Sequence, residues 1–346
     1  MRRIALALLI ALLVAPGLWW RSPPPERSYV FDLAFRQIAR PQPVAELSPL
    51  RFEGAWEMRS DHVYFGGWSA LLALPDGRLA AFSDSGRSLL FSPPGDRPRG
   101  VTVFAEMLSE ETIRKRDRDV EAATIDPATN TIWTAQEFAN SIARHRLESG
   151  ELALEAVRAP AELRNWGDNS GPESLLRLAD ASFLSLREGF GYFSDAERRP
   201  AMRWAGDPVD PKTKSIKFTV RGPSRFSPVD MAALPDGRVL VLYRRVIWPF
   251  PQRFRARLAI GDPGEIREGR EWRLQEIAGL PPSLPLDNFE GLAVREVSGD
   301  EVELWLVSDD NQAGLQRSLL WKLTVDPARL PGAPKQPAKR SVSASD

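Results

Sequence analysis

An all-β fold, a β-propeller of six blades in a single domain, is predicted from three observations. Short apolar runs alternate with turn residues along most of the 346-residue chain, no convincing amphipathic helix interrupts them, and one hairpin pattern recurs five times. Repeats of about 40–50 residues with four short strands each are typical of propeller blades. A two-sheet sandwich is the alternative, but it does not require the same opening residue in five copies.

Two copies of the hairpin pattern are the clearest. WSALLALPDGRLAAFSDSG and VDMAALPDGRVLVLYRR each place a Pro-Asp-Gly turn between two apolar strands, which is a strong hairpin signal. The five copies open at Ser69, Glu121, Glu173, Asp230 and Glu290, at spacings of 52 to 60 residues. We expect the sixth blade to combine residues 30–58 with the last strands of the chain.

The composition limits the chemistry that is available. The chain has 46 Lys+Arg, 46 Asp+Glu, no cysteine and two histidines. Zero net charge without a basic stripe argues against nucleic-acid binding. The missing cysteines and scarce histidines exclude a cysteine nucleophile, a thiolate zinc site and a multi-histidine metal centre. Carboxylates, arginine, serine and asparagine remain, and these suit a hard cation with oxygen ligands.

The two ends of the chain are predicted to lie outside the propeller. Residues 1–20 combine Arg2 and Arg3 with an apolar run, which is typical of an export signal. Trp19 and Trp20 also suit an uncleaved anchor at a membrane interface, so a periplasmic protein and a membrane-tethered one both stay open. Residues 21–29 are predicted to be a proline-rich linker, 30–330 the propeller, and 331–346 a disordered tail.

A ring of charged side chains is expected at one mouth of the central channel. The innermost strand of each blade lines the channel, and antiparallel pairing brings the start of the first strand and the end of the second to the same side. The second strands end at Asp84, Glu137, Glu188, Arg244 and Asp309. Such a ring needs a cation or shared protons to offset the repulsion, and calcium accepts six to eight oxygen ligands.

Other residues lie near this expected ring. Asn288, Asp310 and Asn311 add suitable oxygens, while Arg87, Arg244 and Arg245 could pair with the carboxylates or bind an anionic substrate. Acidic residues at strand ends also commonly cap turns, so that reading stays open for each of them. His62 is a candidate general base that packing explains equally well, and His145 is interpreted as structural.

The last hairpin resembles a known family. LPLDNFEGLAV, followed by LVSDDN and Gln316, is similar to the hallmark of the family called esterase-like activity of phytase. The segments GGWSALLALPDGRLAAFSDSGR, DVEAA and SGPESLL match its other landmarks in order, so the resemblance spans residues 56–325. It implies an exported bacterial β-propeller that hydrolyses phosphate or carboxylate esters. The acidic landmarks carried over are Asp84, Glu121, Glu137, Glu173, Asp287, Glu290, Asp309 and Asp310.

The chain departs from the resemblance in two places. The fourth blade has Tyr243-Arg244 where a Glu-Arg pair is expected, which removes one carboxylate ligand and leaves the arginine. The chain also lacks the Asp-Ala-x-Asp-Asp-Pro-Ala run of the classical β-propeller phytases, so phytate itself is a weak expectation.

The first functional hypothesis is a calcium-dependent hydrolase of a small anionic or ester substrate, with a lactonase as a variant. Glu290 or Glu121 would act as general base, and Arg244 and Arg87 would stabilise the developing negative charge. The expected calcium ligands are Asp84, Glu137, Glu173, Asp287, Asn288, Asp309, Asp310 and Asn311.

The second hypothesis is a non-catalytic binding propeller with structural calcium or arginine–carboxylate pairs. Solvent access to the ring distinguishes the two hypotheses, because a ring covered by the excursions at residues 106–119 and 249–257 favours a structural role. Residues 106–119 are also the best candidate for a helix.

Overall fold

The computed structural model describes residues 28–108, 118–167, 171–188, 198–247, 253–297 and 300–334, together with Ile4, Ala5 and Leu9. These residues form five sheets around a central axis, and the sheets are antiparallel except for one parallel strand pair. Their innermost strands contact one another in a closed ring. The chain is therefore an all-β propeller, as its repeat predicts.

The strands follow one another regularly along the chain. Two strands, β1 (Ala34–Ala39) and β2 (Arg51–Arg59), precede the first complete blade. The first blade is built from β3 (Trp68–Ala73), β4 (Leu79–Ser83), β5 (Arg87–Phe91) and β6 (Val103–Glu106). The second blade is built from β7 (Val120–Asp126), β8 (Thr131–Gln136), β9 (Ser141–Glu148) and β10 (Glu151–Arg158).

The third and fourth blades are interleaved in sequence, because one short strand of the third blade lies between two strands of the fourth. The third contains β11 (Pro172–Arg177), β12 (Phe183–Arg187), β13 (Arg198–Trp204) and β14 (Ser215–Arg221). The fourth contains β15 (Ser227–Ala233), β16 (Val239–Ile247), β17 (Arg253–Gly261) and β19 (Gln275–Gly279). Between the last two, β18 (Glu271–Arg273) returns to the third blade and pairs in parallel with β14. Three-residue 3-10 turns lie at Ala45–Leu47, Ala161–Leu163, Pro263–Glu265 and Pro327–Arg329.

The fifth blade joins the two ends of the chain. It begins at the channel with β20 (Asn288–Glu296), followed by β21 (Val302–Asp309) and β22 (Leu319–Val325). The two N-terminal strands then complete the same sheet, because β2 pairs with β22 and β1 pairs with β2. Hydrogen bonds between the first and last strands thus close the propeller.

The predicted number of blades was wrong: the propeller has five rather than six. The prediction treated residues 30–58 and the last strands as a blade separate from the hairpin at residues 289–310. In the structure these segments lie in one sheet. The five copies of the repeat therefore correspond to five blades.

Apolar side chains fill the spaces between blades. The described residues form five buried clusters, and each joins two neighbouring blades around the ring. The largest fully buried side chains include Trp68, Trp204, Trp272, Trp305 and Trp321. Because a blade packs on both faces, its middle strands are apolar at successive positions, as in the fully buried β4.

The two ends of the channel differ in their loops. We call the end at which β3, β7, β11, β15 and β20 begin the mouth face, and the other end the turn face. The Pro-Asp-Gly turns lie on the turn face, where Gly77 has a φ of +83°. Among the described residues, no helix is long and apolar enough to cross a membrane. Most of the predicted signal segment, linker and tail, together with residues 109–117 and 249–252, lies outside the described residues.

Candidate functional site

A β-bulge recurs at the start of the innermost strand of every blade. In each case the strand pairing skips one residue, which leaves that residue outside the ladder. The skipped residues are Ser69, Glu121, Glu173, Val229 and Glu290. The opening residues that the sequence singles out are thus set apart by backbone geometry in four of the five copies.

The fourth blade corrects the sequence template. There the bulge lies at Val229, whereas the template aligned Asp230 with the other opening residues. Val229 is buried in the apolar contact between the fourth and fifth blades. The carboxylate of Asp230 accepts backbone hydrogen bonds from Met231 at 2.8 Å and Leu292 at 2.7 Å. Asp230 therefore links two blades, and the fourth blade contributes no carboxylate at its bulge.

The end of each second strand lies beside the residue two positions before the bulge. The Asp84 amide donates to the Gly67 carbonyl at 2.9 Å, and the Glu137 amide donates to the Asp119 carbonyl at 3.0 Å. The fifth blade repeats this relation, since Asn288 is paired with Asp309. Each blade therefore presents three positions at the mouth face: a flanking residue, a bulge residue and a strand-end residue.

Arg244 organises one side of this ring. Its guanidinium donates to Glu188 at 2.9 Å, to the Asn288 amide oxygen at 3.0 Å and to Glu290. The Asn288 amide nitrogen in turn donates to Glu290 at 2.6 Å. Burial alone would lower the pKa of Arg244, but Glu290 and Glu188 raise it. Arg244 is therefore a fixed cation that bridges the third, fourth and fifth blades.

The opposite side of the ring, in the second blade, concentrates negative charge. Carboxylate oxygens of Asp119, Glu121 and Glu137 lie within 4.8 Å of one another. Burial, followed by the charges of Glu173 and Asp119, raises the pKa of Glu121 well above its usual range. Burial and the Asp119 charge raise the pKa of Glu137 to about 7. We call these three residues the acidic triad.

Further carboxylates extend the acidic triad around the channel. The pKa of Glu173 is raised well above its usual range by burial and by Glu188 and Glu137. Burial and then Glu290 raise the pKa of Asp309 in the same way. Burial and the Asp119 charge raise the pKa of Asp84 to about 7. The ring therefore holds more buried carboxylates than Arg244 can neutralise.

Two glycines allow the first blade to approach the ring. Gly67 has a φ of +69°, and a Cβ atom at this position would lie 2.3 Å from Oδ1 of Asp84. Gly66 has a φ of +110°, and a Cβ atom there would lie 2.6 Å from Asp310. The Gly-Gly pair before β3 thus serves close packing against two carboxylates.

Some expected calcium ligands have local structural partners. Asp310 accepts from the Gly67 amide at 3.1 Å and from the Ser318 hydroxyl at 2.8 Å. Asp287 accepts from the backbone amides of Asn288 at 3.0 Å and Arg317 at 3.1 Å. Burial raises the pKa of Asp287 to about 6.

Asn311 points its amide at Gln316, to which it donates at 2.8 Å. These contacts order the loop between β21 and β22. The DNFEG and SDDN segments and Gln316 therefore lie together at one end of the fifth blade, where these hydrogen bonds hold them.

Arg87 and the histidines lie apart from this network. The guanidinium of Arg87 stacks over the Tyr64 ring, 3.8 Å from its centroid. Nδ1 of His62 accepts from the Tyr64 amide at 3.2 Å, and its ring packs against Phe104. His145 is fully buried on β9, where Nε2 is 3.0 Å from the Thr134 hydroxyl.

Asp119 is the residue that sequence reasoning missed as a site residue. It directly precedes β7 and completes the acidic triad. Its spacing of two residues from Glu121 was the available signal, because side chains two apart in an extended strand lie on the same side. The spacing from Asn288 to Glu290 repeats this signal in the fifth blade.

The model of the family named Phytase-like, described as esterase-like activity of phytase, matches residues 63–312. The chain belongs to the Phytase-like family. The matched range begins just before the Gly-Gly pair and ends just after the SDDN segment, so this Phytase-like region contains all the bulges and the whole ring. No curated protein matches the chain in sequence.

Solved structures resemble this Phytase-like chain only distantly. Hydrazine synthase of Kuenenia stuttgartiensis is 11% identical with a TM-score of 0.36, over 75% of this chain and 62% of that one. A protein from Lactobacillus plantarum is 10% identical with a TM-score of 0.37, over 84% and 82% of the two chains. A chain of the nidogen/laminin complex is 9% identical with a TM-score of 0.38, over 86% and 98%.

Proposed function

We propose that this Phytase-like propeller is a hydrolase of phosphate or carboxylate esters, assisted by calcium, with its active site at the mouth face. The observation that carries the proposal is the acidic triad of Asp119, Glu121 and Glu137, whose oxygens lie within 4.8 Å of one another. Like charges at such separations in a partly buried site repel one another. A bound cation would remove that repulsion.

The donor set fits calcium. The acidic triad offers oxygen ligands only, and Glu173 on the neighbouring blade interacts with Glu137. Calcium takes six to eight oxygens in flexible geometry, whereas zinc and copper sites favour nitrogen and sulfur donors. Asp119, Glu121 and Glu137 would hold the ion. When bound, the ion would supply a Lewis acid that polarises an ester oxygen and acidifies a bound water.

The remaining ring residues would position and activate the reactants. Glu290 is the proposed general base, because Arg244 and Asn288 fix its carboxylate at the mouth. Arg244 would also offer its positive charge to the negative charge that develops on the substrate. Glu121, the alternative base, is assigned to the cation because it belongs to the acidic triad. Arg87 receives no role, because it stacks on Tyr64.

The proposed substrate is a small ester, either anionic or carrying a group that the ring can polarise. A lactone is a cyclic ester and would need the same groups. The export signal predicted for residues 1–20 would place the enzyme in the periplasm or on a membrane that faces it.

A non-catalytic binding propeller is the second candidate, and one observation favours it. Arg244 is already engaged by Glu188, Glu290 and Asn288, so part of the ring is neutralised within the protein. Under this alternative, calcium at the acidic triad would be structural, and the mouth face would hold a ligand without converting it.

Hydrolysis of a panel of chromogenic esters tests the proposal. The full chain in detergent would be assayed against a phosphomonoester, a phosphodiester, a carboxylate ester and a lactone, with calcium and with chelator. We expect one class to turn over only with calcium, and Glu290→Gln to abolish at least 99% of that turnover. The matched control is Glu276→Gln, whose carboxylate pairs with Arg257 on the outer strands of the fourth blade.

The outcomes separate the two candidates. Calcium-dependent turnover that Glu290→Gln removes and Glu276→Gln retains supports the hydrolase. A folded protein that binds calcium, yet turns over no ester, would contradict the hydrolase and favour the binding propeller.

A further inference from the structure

The segment that begins at Ser28 joins the propeller on its mouth face. Ser28 forms a β-bridge with His62, and the Val63 amide donates to the Ser28 carbonyl at 2.9 Å. His62 lies in the connection from the end of β2 to the start of β3, and both strands meet this connection at the mouth face. The chain that precedes Ser28 therefore leaves the propeller beside the mouth.

A short segment links Ser28 to an apolar run of the sequence. It contains the apolar run Ile4–Val14 and the pair Trp19-Trp20, and only residues 21–27 separate Trp20 from Ser28. Seven extended residues span at most about 25 Å. Any membrane that holds the apolar run therefore lies within reach of the mouth face.

Large apolar side chains are exposed around the mouth. Tyr29 is 62% exposed and Val30 77%, next to the bridge with His62. Leu315 is 62% exposed in the loop between β21 and β22, and Phe138 is 39% exposed directly after the end of β8. These residues come from three different parts of the rim. Aromatic and aliphatic side chains in such positions insert at the interface of a bilayer.

A basic depression lies beside these residues. Arg253, Arg255 and Arg317 line a depression of about 380 Å³ together with Asp287 and Leu315. Arg255 also stands opposite Arg245 on the neighbouring strand, an arrangement of like charges that is unfavourable without an anion.

Two of these arginines lack an internal counter-charge. Within the part of the chain that the structure describes, neither Arg253 nor Arg255 has a carboxylate partner, and the only hydrogen bond of the Arg255 side chain is to the Phe254 carbonyl. Most other described arginines, such as Arg244 and Arg295, are paired with a carboxylate. The depression is therefore suited to phosphate groups supplied from outside.

The turn face pairs its charges internally. The carboxylates of its hairpin turns, Asp76, Asp236 and Asp180, form ion pairs with Arg78, Arg238 and Arg203. Among the described residues, the two faces are therefore distinguished by the unpaired arginines of the basic depression, which an anionic lipid surface would attract.

We propose that the mouth face of the propeller lies against an anionic lipid bilayer, with Tyr29, Val30 and Leu315 at the interface and Arg253 and Arg255 contacting lipid phosphates. The ring then faces the membrane rather than the aqueous phase. This orientation goes beyond the proposed function and holds whether or not the ring is catalytic.

Site-specific fluorescence quenching tests the orientation. The chain has no cysteine, so one introduced cysteine can be labelled with an environment-sensitive dye. Leu315→Cys marks the mouth face and Val101→Cys the turn side, and the two positions are similarly exposed at 62% and 76%. The full chain would be reconstituted into vesicles of phosphatidylcholine with 30% phosphatidylglycerol, containing lipids with a quencher at the headgroup–acyl boundary, at roughly the depth that interfacial side chains reach.

We expect the dye at Leu315→Cys to be quenched at least threefold more than the dye at Val101→Cys. Arg253→Glu combined with Arg255→Glu should bring quenching at Leu315→Cys down to the turn-face level, because each basic residue near an anionic surface contributes measurably to attraction. Arg97→Glu, an exposed change on the turn face, is the matched control and should have no effect.

Three results would overturn the proposal. These are equal quenching at both faces, stronger quenching at Val101→Cys, and quenching at Leu315→Cys that survives the double arginine reversal. The last result would mean that the short linker alone brings the mouth near the lipid. Circular dichroism of each variant checks that a loss of quenching does not come from unfolding.

Discussion

The carboxylate of Asp230, on the innermost strand of the fourth blade, accepts a hydrogen bond from the backbone amide of Leu292 in the fifth blade at 2.7 Å. Its other oxygen accepts from the Met231 amide at 2.8 Å. Asp230 is only 1% exposed. A residue that looks like a ring member in the sequence thus ties two blades together.

Replacing Asp230 by alanine tests this structural role. Asp230→Ala leaves buried backbone amides without an acceptor, so we expect the free energy of unfolding to fall by about 2–4 kcal/mol. Urea denaturation would measure it. Asp32→Ala, at an exposed position near Ser60, is the control and should change stability by less than about 0.5 kcal/mol. An equal effect of the two changes would contradict the role of Asp230.

Gly67 is predicted to be intolerant of a side chain. A Cβ atom at Gly67 would lie 2.3 Å from Oδ1 of Asp84, and the backbone φ is +69°. Gly237 has a φ of +88° but open space around it. Gly237→Ala therefore reports backbone strain alone, about 1 kcal/mol, whereas Gly67→Ala should cost at least about 1–2 kcal/mol more. Thermal unfolding of the two variants measures the difference, and equal losses would show that the contact with Asp84 is unimportant.

Removing one charge from the acidic triad should have opposite effects without and with calcium. In chelator, Glu121→Gln relieves repulsion from Glu173 and Asp119, so the variant should unfold at a higher temperature than the unmodified protein. Calcium at 100 times its Kd would stabilise the unmodified protein by about 2.7 kcal/mol, and the variant by less than half of that. Differential scanning calorimetry measures both states. A calcium response that Glu121→Gln leaves intact would place the ion elsewhere.

Asp84 should make the calcium-free protein less stable as the pH rises. Burial and the Asp119 charge raise the pKa of Asp84 to about 7 in the folded protein, against an ordinary value of 3.8. The folded state therefore holds the proton more tightly, and its stabilising contribution is present below about pH 4 and lost as the pH rises to about 7. The shift corresponds to roughly 4 kcal/mol.

Asp84→Asn tests this predicted loss of stability with rising pH, because the asparagine amide resembles the protonated acid. In chelator, the variant should match the unmodified protein at pH 4 and exceed its stability at pH 8. Denaturant unfolding at a series of pH values gives the two curves. Parallel curves would show that Asp84 is not the group responsible.

His145 should impose the opposite pH dependence. Burial lowers the pKa of His145 to about 4 from 6.5, so the unfolded chain binds its proton first as the pH falls. The protein should lose roughly 3 kcal/mol between about pH 6.5 and pH 4 from this group. His145→Gln removes the titrating group, and its unfolding free energy should decline less over that range. An unchanged decline would assign the acid sensitivity to other groups.

The sequence was a good guide to the fold because its signals were local. Pro-Asp-Gly turns such as the one around Gly77 determine hairpins without help from distant residues, and five hairpins in series predict a propeller. The blade count was wrong because it depends on a long-range pairing, that of Ala55 with Trp321. Nothing in the sequence near either residue marks the other as its partner.

In the candidate site, too, the features that depend on local sequence were predicted and those that depend on strand pairing were not. Glu121, Glu173 and Glu290 were found because they recur at one position of the repeat. Asp230 was aligned one residue out of register. The aspartate of the Pro-Asp-Gly turn, Asp236, lies six residues after Asp230, whereas Asp76 lies seven residues after Ser69. The bulge at Val229 depends on strand pairing, which a single side chain does not reveal. The functions predicted for these residues stay predictions until the assays are done.

The pairing of β2 with β22 also determines when the fifth blade can fold during synthesis. β2 is among the first strands made, and its partner β22 is among the last. At ordinary rates of translation, roughly 15–50 s separate the two, and throughout that interval the edge of β2 that will pair with β22 has no neighbour. Asn288, Glu290 and Asp309 belong to this late blade, so the ring cannot assemble until nearly the whole chain exists. A nascent chain that is released one strand early would carry every carboxylate of the acidic triad and still lack the strand that joins β2 to the fifth blade.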